Sequence, residues 1–494
     1  MPGRGSANIS VVVRRALVLT LLAGAVVGVA VAAARRRRPS FVASGFAGRN
    51  ARLATLGAKA GASYAVHTAR RAGASPERRA ELDEAHQLRT ATQVAEALGD
   101  MKGALMKLGQ MASYIDDGMP TPIRDALASL QQDAPPMSVE LCAAVVREEL
   151  GGDPERVFAQ WDPVPIAAAS IGQVHRAATR SGLAVAVKVQ YPGVDQAIRS
   201  DLVNSDLIFR VLSMLFPGLD PGPLVDELRA RLTEELDYEH EAANQRQFVS
   251  YYAKHPFIRV PAVVDELSTA RVLTTELATG ARFSELEGWP QEQRDLAAEA
   301  IFRFVFRSIY RLHAFNGDPH PGNYLFSGDG RVTFLDFGLV KHYSRDDVAL
   351  FESLITAMVL RHDIAKFRSI LEVQGVLRRD PTITDHDVRE YFGHFYEMVM
   401  EDRAVTLTPE YASETVRRMF DLSSPWARVA KVANLPPVFV ITQRINLGLT
   451  AILGQLHAHA NWRRIAEELW PFVEGGPSTP MGEAEAAWLE SHSR

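Results

Sequence analysis

Asp318, Asn323 and Asp336 carry side chains suited to chemistry, and their spacing, five residues and then thirteen, is that of a phosphoryl-transfer site. In such a site one carboxylate orients the attacking oxygen. An amide five residues later and a second carboxylate in an Asp-Phe-Gly turn hold the magnesium ion that accompanies ATP. The first two residues fall in Phe315-Asn-Gly-Asp-Pro-His-Pro-Gly-Asn323 and the third opens Asp336-Phe337-Gly338. Between them, Asn323 to Phe326 and Val332 to Leu335 read as short strands joined by the turn Ser327-Gly-Asp-Gly330, which predicts a hairpin with a metal ligand at each end. Two protein ligands are enough for Mg²⁺, because phosphates and water supply the other oxygens. Asp and Gly are ordinary turn residues, so either motif alone recurs by chance; the joint spacing carries the reading.

A phosphate site also needs a cation on a rigid support. Ala184-Val-Ala-Val-Lys188-Val189 has the pattern of a strand that presents a lysine to the α- and β-phosphates. Its partner is expected to be a carboxylate on the helix read across Pro223 to Ala253, and Glu241 is chosen. Asp237, four residues before it, would share that face, while Glu235 lies well round from both. Glu234 and Glu239 read as a solvated acidic face. Upstream, where a glycine-rich phosphate loop would stand, the chain has Ala167-Ala168-Ala169-Ser170. Alanine lacks the φ freedom of glycine and keeps the backbone farther from a phosphate, so the nucleotide would be gripped differently. Glu276, at the end of the strand read over Arg271 to Leu277, is placed with these as an ATP contact.

The elements that must position these groups come in a definite order. Helical spacing runs from Pro76 to Tyr114, then in short helices over Pro122 to Gln132 and Ser138 to Leu150, with Ser138 as N-cap and Gly151-Gly152 as stop. A small sheet follows, with Val174 to Ala178 and Leu183 to Gln190 as a hairpin. Strands at Pro261 to Val264 and Arg271 to Leu277 come after the long helix, then a buried helix from Asp295 to Phe315. Only about seven residues separate Gly338 from the next helix, Asp346 to Leu360, which leaves no room for a peptide-docking platform. Helices continue to about residue 473, and Pro437 to His459 reads as a core helix. Gly475 to Arg494 reads as a mobile tail.

The chain has 494 residues, 47% of them hydrophobic and 23% charged, which suits a folded protein of about three domain-sized units. Cys142 is the sole cysteine, excluding an intrachain disulfide and a cysteine-based zinc site. The net charge is −5; residues 1 to 38 hold seven arginines and no acid, so the remainder carries −12 and is no nucleic-acid binder by charge. Ala16 to Ala34 is an uncharged, mostly apolar run of 19 residues closed by Arg35 to Arg38, long enough to span a bilayer. It is read as a membrane anchor rather than a cleaved signal, an interfacial helix or a disordered tail. The excess of arginine after the span places the body in the cytoplasm, and residues 39 to 60 read as a juxtamembrane linker that touches lipid headgroups.

Taken together the residues resemble the UbiB family, also called ABC1 or AarF, of atypical kinase-like proteins, over roughly residues 90 to 460. The resemblance rests on Lys107-Leu108-Gly109-Gln110 as its K-x-G-Q, Ala167 to Ser170, Lys188, Glu235-Leu236-Asp237 as its E-x-D, Glu241, Asp318 with Asn323, and Asp336-Phe337-Gly338. It implies an α+β, two-lobed kinase-like fold whose K-x-G-Q helix folds over the active site. Lys107 and Gln110 would point towards Glu235 and Asp237 as a gate and block the groove for a protein substrate. It further implies ATP and Mg²⁺ as cofactors, membrane lipids as partners, and support of isoprenoid quinone or lipid metabolism through quinone-pathway enzymes or a phenolic or prenyl small molecule. Asn316-Gly317 stands where many members have His-Ala, and better-known bacterial members are anchored at the other terminus. The layout expected is an anchor over 1–39, linker and helical extension over 40–160, N-lobe over 161–276, C-lobe over 277–474 and a tail over 475–494.

Three functions compete on these grounds. The first is an anchored ATPase or small-molecule kinase with Asp318 and Lys188 as catalytic groups. The second is a nucleotide-gated scaffold without turnover. The third is a relative of aminoglycoside or choline kinases, because Gly317-Asp318-Pro-His-Pro-Gly-Asn323 also fits their G-D-x-H-x-x-N.

Overall fold

The computed structural model describes residues 138–195 and 233–492, apart from 170, 235, 317–318, 421–425 and 434–436. All of them belong to the unit Pro76–Arg494. The first helix, α1 (Val139–Leu150), begins where the sequence places it: Ser138 accepts a hydrogen bond from the Leu141 amide at 3.3 Å, and Gly151 ends it at φ 75°. The spacing of Cys142, Val145 and Val146 makes one apolar stripe, and that stripe is buried.

The stripe covers an antiparallel sheet of β1 (Gln160–Ala169), β2 (Gly172–Ala178), β3 (Ala184–Gln190) and β5 (Val272–Glu276), in that order. Alternation along β3 decides which face does what. Val185, Val187 and Val189 point into the small core with Val145, Val146 and Phe158, so Ala186 and Lys188 stand on the opposite face. Lys188 is opposite Val174 of β2 and Leu273 of β5, in the middle strand of its neighbours.

Helix α2 (Tyr238–Tyr251) covers the second half of the long helix expected over Pro223 to Ala253; Thr233 and Glu234 are helical, Leu236 and Asp237 are not, and residues 223–232 lie outside the described ones. Asp237 is its N-cap, accepting from the amides of Glu239 at 3.0 Å and His240 at 3.3 Å. An aspartate in extended backbone geometry is better used capping orphan amides than inside a helix, so Asp237 lies at its boundary and not on a continuous face with Glu241. The strand expected over Pro261 to Val264 is replaced by β4 (Ile258–Arg259), which runs parallel to Val332 and Thr333, and by a single bridge from Val263 to Thr275.

The larger lobe is built on α3 (Gln291–Arg307), buried on nearly all sides from Ala297 to Arg307, as the apolar run predicted. It continues as one π-helical stretch, Ser308–Leu312, and stops at His313 in left-handed geometry, φ 52°. Then come β6 (Ala314–Asn316), β7 (Tyr324–Phe326), β8 (Val332–Phe334) and β9 (Val340–His342); β7 pairs with β8, and β6 with β9. Six residues lie between Gly338 and α4 (Arg345–Ile355), as short a segment as the sequence implied.

Further helices pack around this centre: α5 (Ile364–Val373), α6 (Asp385–Gly393), α7 (Pro409–Phe420), α8 (Pro437–Gln455) and α9 (Trp462–Leu469). Ile445, Leu449, Ile452 and Leu453 of α8 are core residues, so this helix faces protein. Residues 480–492, read from composition as part of a mobile tail, form α10 (Pro480–His492), with Met481, Glu485 and Trp488 buried. Among the described residues no helix is long and apolar enough to cross a membrane. The expected anchor, Ala16 to Ala34, lies outside them, as do the helices read over Pro76 to Gln132.

Candidate active site

Lys188 and Glu241 meet as the sequence proposed. The ammonium lies 2.8 Å from each Glu241 carboxylate oxygen, a forked pair between the sheet and α2. Glu241 is 3% exposed, and the lysine side chain 17%. Asp336 Oδ2 stands 3.9 Å from the same nitrogen, so one cation sits between two acids. The Tyr238 ring lies below it, its centroid 5.0 Å away. Burial alone would push the lysine pKa down; the Asp336 and Glu241 carboxylates outweigh it and hold the group well above its ordinary value, hence charged.

The hairpin that was to hold the metal ligands forms. Tyr324 opposes Phe334, and the Leu335 amide donates to the Asn323 carbonyl at 3.0 Å, so Asn323 and Asp336 leave the ribbon at the same end. Asn323 closes a single 3₁₀ turn, Pro321–Asn323, capped by the His320 ring, which accepts from the Gly322 amide at 3.0 Å. Asp336 is oriented from within its own turn: Oδ1 accepts from the Gly338 amide at 2.9 Å. Phe337 is wholly buried against Phe248 of α2, ring centroids 4.8 Å apart, and this anchors the residue beside the carboxylate. The Asp336 side chain keeps 37% of its surface open, in reach of a ligand. Carboxylate and amide oxygens are the hard donors that Mg²⁺ takes, and a lysine beside them suits a triphosphate, so these residues fit Mg²⁺ with ATP.

The alanines are arranged differently from a free loop. Ala167, Ala168 and Ala169 belong to β1, paired with Val174, Gln173 and Gly172, so the alanines are sheet residues and not a loop. A ladder of backbone hydrogen bonds, available because no residue there demands a positive φ, draws the run into the sheet. Gly172 follows the turn because a Cβ there would overlap the Val189 carbonyl and come within 2.9 Å of the Tyr238 hydroxyl. Glu276 accepts from the Ala262 amide at 3.3 Å and faces Arg259 at 3.5 Å, tying the end of β5 to the segment after β4. Lys107, Gln110, Ser170, Glu235 and Asp318 lie outside the described residues. The structure thus gathers Lys188, Glu241, Asp336 and Asn323 and places Asp237 at the mouth of α2.

Sequence reading missed the parts that act through backbone. Asn244, one turn after Glu241, donates to the Phe337 carbonyl at 3.1 Å. Gly448 of α8 lies against Pro319, next in chain to Asp318; a Cβ there would overlap the proline ring. The spacing of Asn244 from Glu241 was a readable signal, whereas nothing near Gly448 announced its neighbour.

Comparison with known proteins agrees with this geometry. The family model described as the ABC1 atypical kinase-like domain matches residues 129–370. The rat protein named atypical kinase COQ8B, mitochondrial, is 36% identical over 258 residues, 52% of this chain and 49% of that one. The yeast atypical kinase COQ8, mitochondrial, is 32% identical over 271 residues, 54% of each. The chain spans about half the length of the curated relatives it matches. A solved structure from Mycobacterium tuberculosis, Rv3197 in complex with erythromycin, is 33% identical, with a TM-score of 0.58, and the match covers 81% of this chain and 99% of that one. The fold is a mixed α/β, kinase-like one, and the chain belongs to the ABC1 family of atypical kinase-like proteins.

Proposed function

We propose that the chain binds ATP with Mg²⁺ and transfers the terminal phosphoryl group to water or to a small acceptor at a membrane. The observation that carries this is the forked Lys188–Glu241 pair with Asp336 at 3.9 Å, which joins a phosphate-binding cation to a metal-binding acid. Lys188 would bind the α- and β-phosphates, and Asn323 and Asp336 would hold the metal, whose charge offsets that of the phosphates. Asp318 would orient the attacking oxygen. Ala167 to Ser170 and Glu276 would border the nucleotide, and Lys107 with Gln110 would close over it towards Glu235 and Asp237.

The short segment before α4 supports a small acceptor over a protein one. The names of the mitochondrial relatives and the apolar run Ala16 to Ala34 support service to isoprenoid quinone or lipid metabolism from a membrane-anchored, cytoplasmic body. The test is Mg²⁺-dependent phosphate release by the full-length protein in detergent or anionic liposomes, with and without quinone-like phenols. Asp336→Asn is expected to lose on the order of 10²-fold in rate. Nucleotide binding with no release in the wild type would mean a scaffold instead.

A second reading is favoured by the erythromycin complex, whose protein this chain matches over nearly its whole length. It holds that the chain binds a macrolide, and a thermal shift on adding erythromycin would support it.

A further inference from the structure

We propose that Asn244 is a positioning residue that fixes the metal-bearing Asp336 by gripping the Phe337–Gly338 peptide, whose N–H holds the Asp336 carboxylate. The inference rests on the reading of Asp336 as a ligand for Mg²⁺ with ATP. Asn244 is 4% exposed and lies three residues after Glu241, on the same face of α2. Its Nδ2 donates to the Phe337 carbonyl at 3.1 Å, and its Oδ1 faces His342 Nε2 of β9 at 3.5 Å. One amide thus touches the chain on both sides of Gly338.

The ring of the same phenylalanine packs on Phe248, four residues further along α2. Ring and carbonyl of Phe337 are therefore held by one helix, and the peptide cannot turn without breaking a buried hydrogen bond. The N–H of that same peptide, on Gly338, donates to Asp336 Oδ1 at 2.9 Å, so such a turn would release the carboxylate. Gly338 is equally confined: a Cβ there would lie 3.3 Å from both Asp336 Oδ1 and Glu241 Oε2. Helix α2 consequently sets the lysine through Glu241 and the metal ligand through Asn244, and only a side chain with a donor can hold a carbonyl in this place.

The experiment compares full-length wild type with Asn244→Asp, Asn244→Leu and, as a control, Arg246→Ala, which removes an exposed ion pair with Asp265 from the same helix. Two quantities are read: hydrogen–deuterium exchange of peptides covering 336–343, and the Mg²⁺ concentration at half-saturation of nucleotide binding. Both Asn244 variants are expected to exchange about tenfold faster in that segment and to raise the Mg²⁺ midpoint about tenfold, as loss of one buried hydrogen bond allows. Nucleotide binding without Mg²⁺ stays unchanged, and the control moves neither quantity. Unchanged exchange and midpoint in the folded variants overturn the inference, as does faster exchange spread evenly over the protein. Should Asn244→Asp not fold, Asn244→Leu decides. A wild type without Mg²⁺-dependent nucleotide binding removes the phosphoryl-transfer reading, while the exchange data still decide whether Asn244 holds the segment.

Discussion

Lys188 illustrates how much a single residue inherits from its strand. The alternation that buries Val187 and Val189 leaves it no face but the one opposite α1, and there it meets Glu241. Replacing Glu241 by Gln removes the charge that keeps this ammonium in place; phosphate release is expected to fall on the order of 10²-fold, with the apparent KM for ATP rising, as steady-state assays would show. The pair is proof against high pH, because the lysine pKa is raised: its contribution is complete below the ordinary value near 10.5 and is lost only as pH climbs through the higher folded value. Gly448→Ala places a methyl group against Pro319. Overpacking there is expected to cost about 1–3 kcal/mol, seen as a lower Tm, and to reduce kcat more than it changes KM, because Pro319 is next in sequence to Asp318. Lys188, Glu241, Asn323 and Asp336 were legible because chemistry demands their side chains at fixed spacing. Gly448 was not, since what it touches is a proline ring that folding alone brings near, and Asn244 was legible only by its spacing from Glu241, not by the carbonyl it holds.

Elements were legible where local signals and tertiary packing agreed. Ser138 and Gly151 bound α1 in sequence and in structure, and the β7–β8 hairpin lies within a residue of its expected place. The break in front of α2 was not legible, because Asp237, expected to share a helix face with Glu241, caps the helix instead. Helix α10 was missed because Gly, Pro, Ser and Glu dominate its surroundings, yet its few contacts are strong. Arg303, wholly buried, reaches Glu299 at 2.8 Å and Glu468 and Glu485 at 2.9 Å, and Arg307 reaches Glu485 at 2.6 Å. Burial alone would raise the Glu485 pKa, but the His255 hydrogen bond and the charges of Arg307 and Arg303 bring it down to about 2. His255 accepts the Ile258 amide on Nδ1 at 3.0 Å and so presents Nε2–H to Glu485, and burial holds its pKa below the ordinary 6.5. Both shifts have the same sign of effect. Stability is expected to decline as pH falls below 6.5, when His255 charges in the unfolded chain, and again below 4.5 as pH approaches the folded value for Glu485. Thermal melts from pH 8 to about 2 check this: His255→Gln should flatten the first decline. Glu485→Gln, which takes from buried Arg307 its carboxylate partner while Arg303 keeps Glu299 and Glu468, should lose about 3 kcal/mol at neutral pH.

At the scale of the molecule, a four-stranded sheet with one helix faces a larger helical lobe, and the site lies where β3, α2 and the β7–β8 ribbon converge. Charge and hydropathy predict the rest of the arrangement: deleting residues 1 to 40 is expected to move the protein from the membrane to the soluble fraction on sedimentation, with Mg²⁺-dependent nucleotide binding retained. Ordering of the site does not, however, follow the order of the chain. Trp488 of α10 donates to the Ala253 carbonyl at 3.0 Å and stacks on Tyr252, just past the end of the helix that bears Glu241, across 235 residues of sequence. At ribosomal speed that interval takes roughly 10 to 50 s. For so long a nascent chain leaves Tyr251 and Tyr252 without the indole that packs on them, so the helix bearing Glu241 is expected to gain its final packing only late in synthesis.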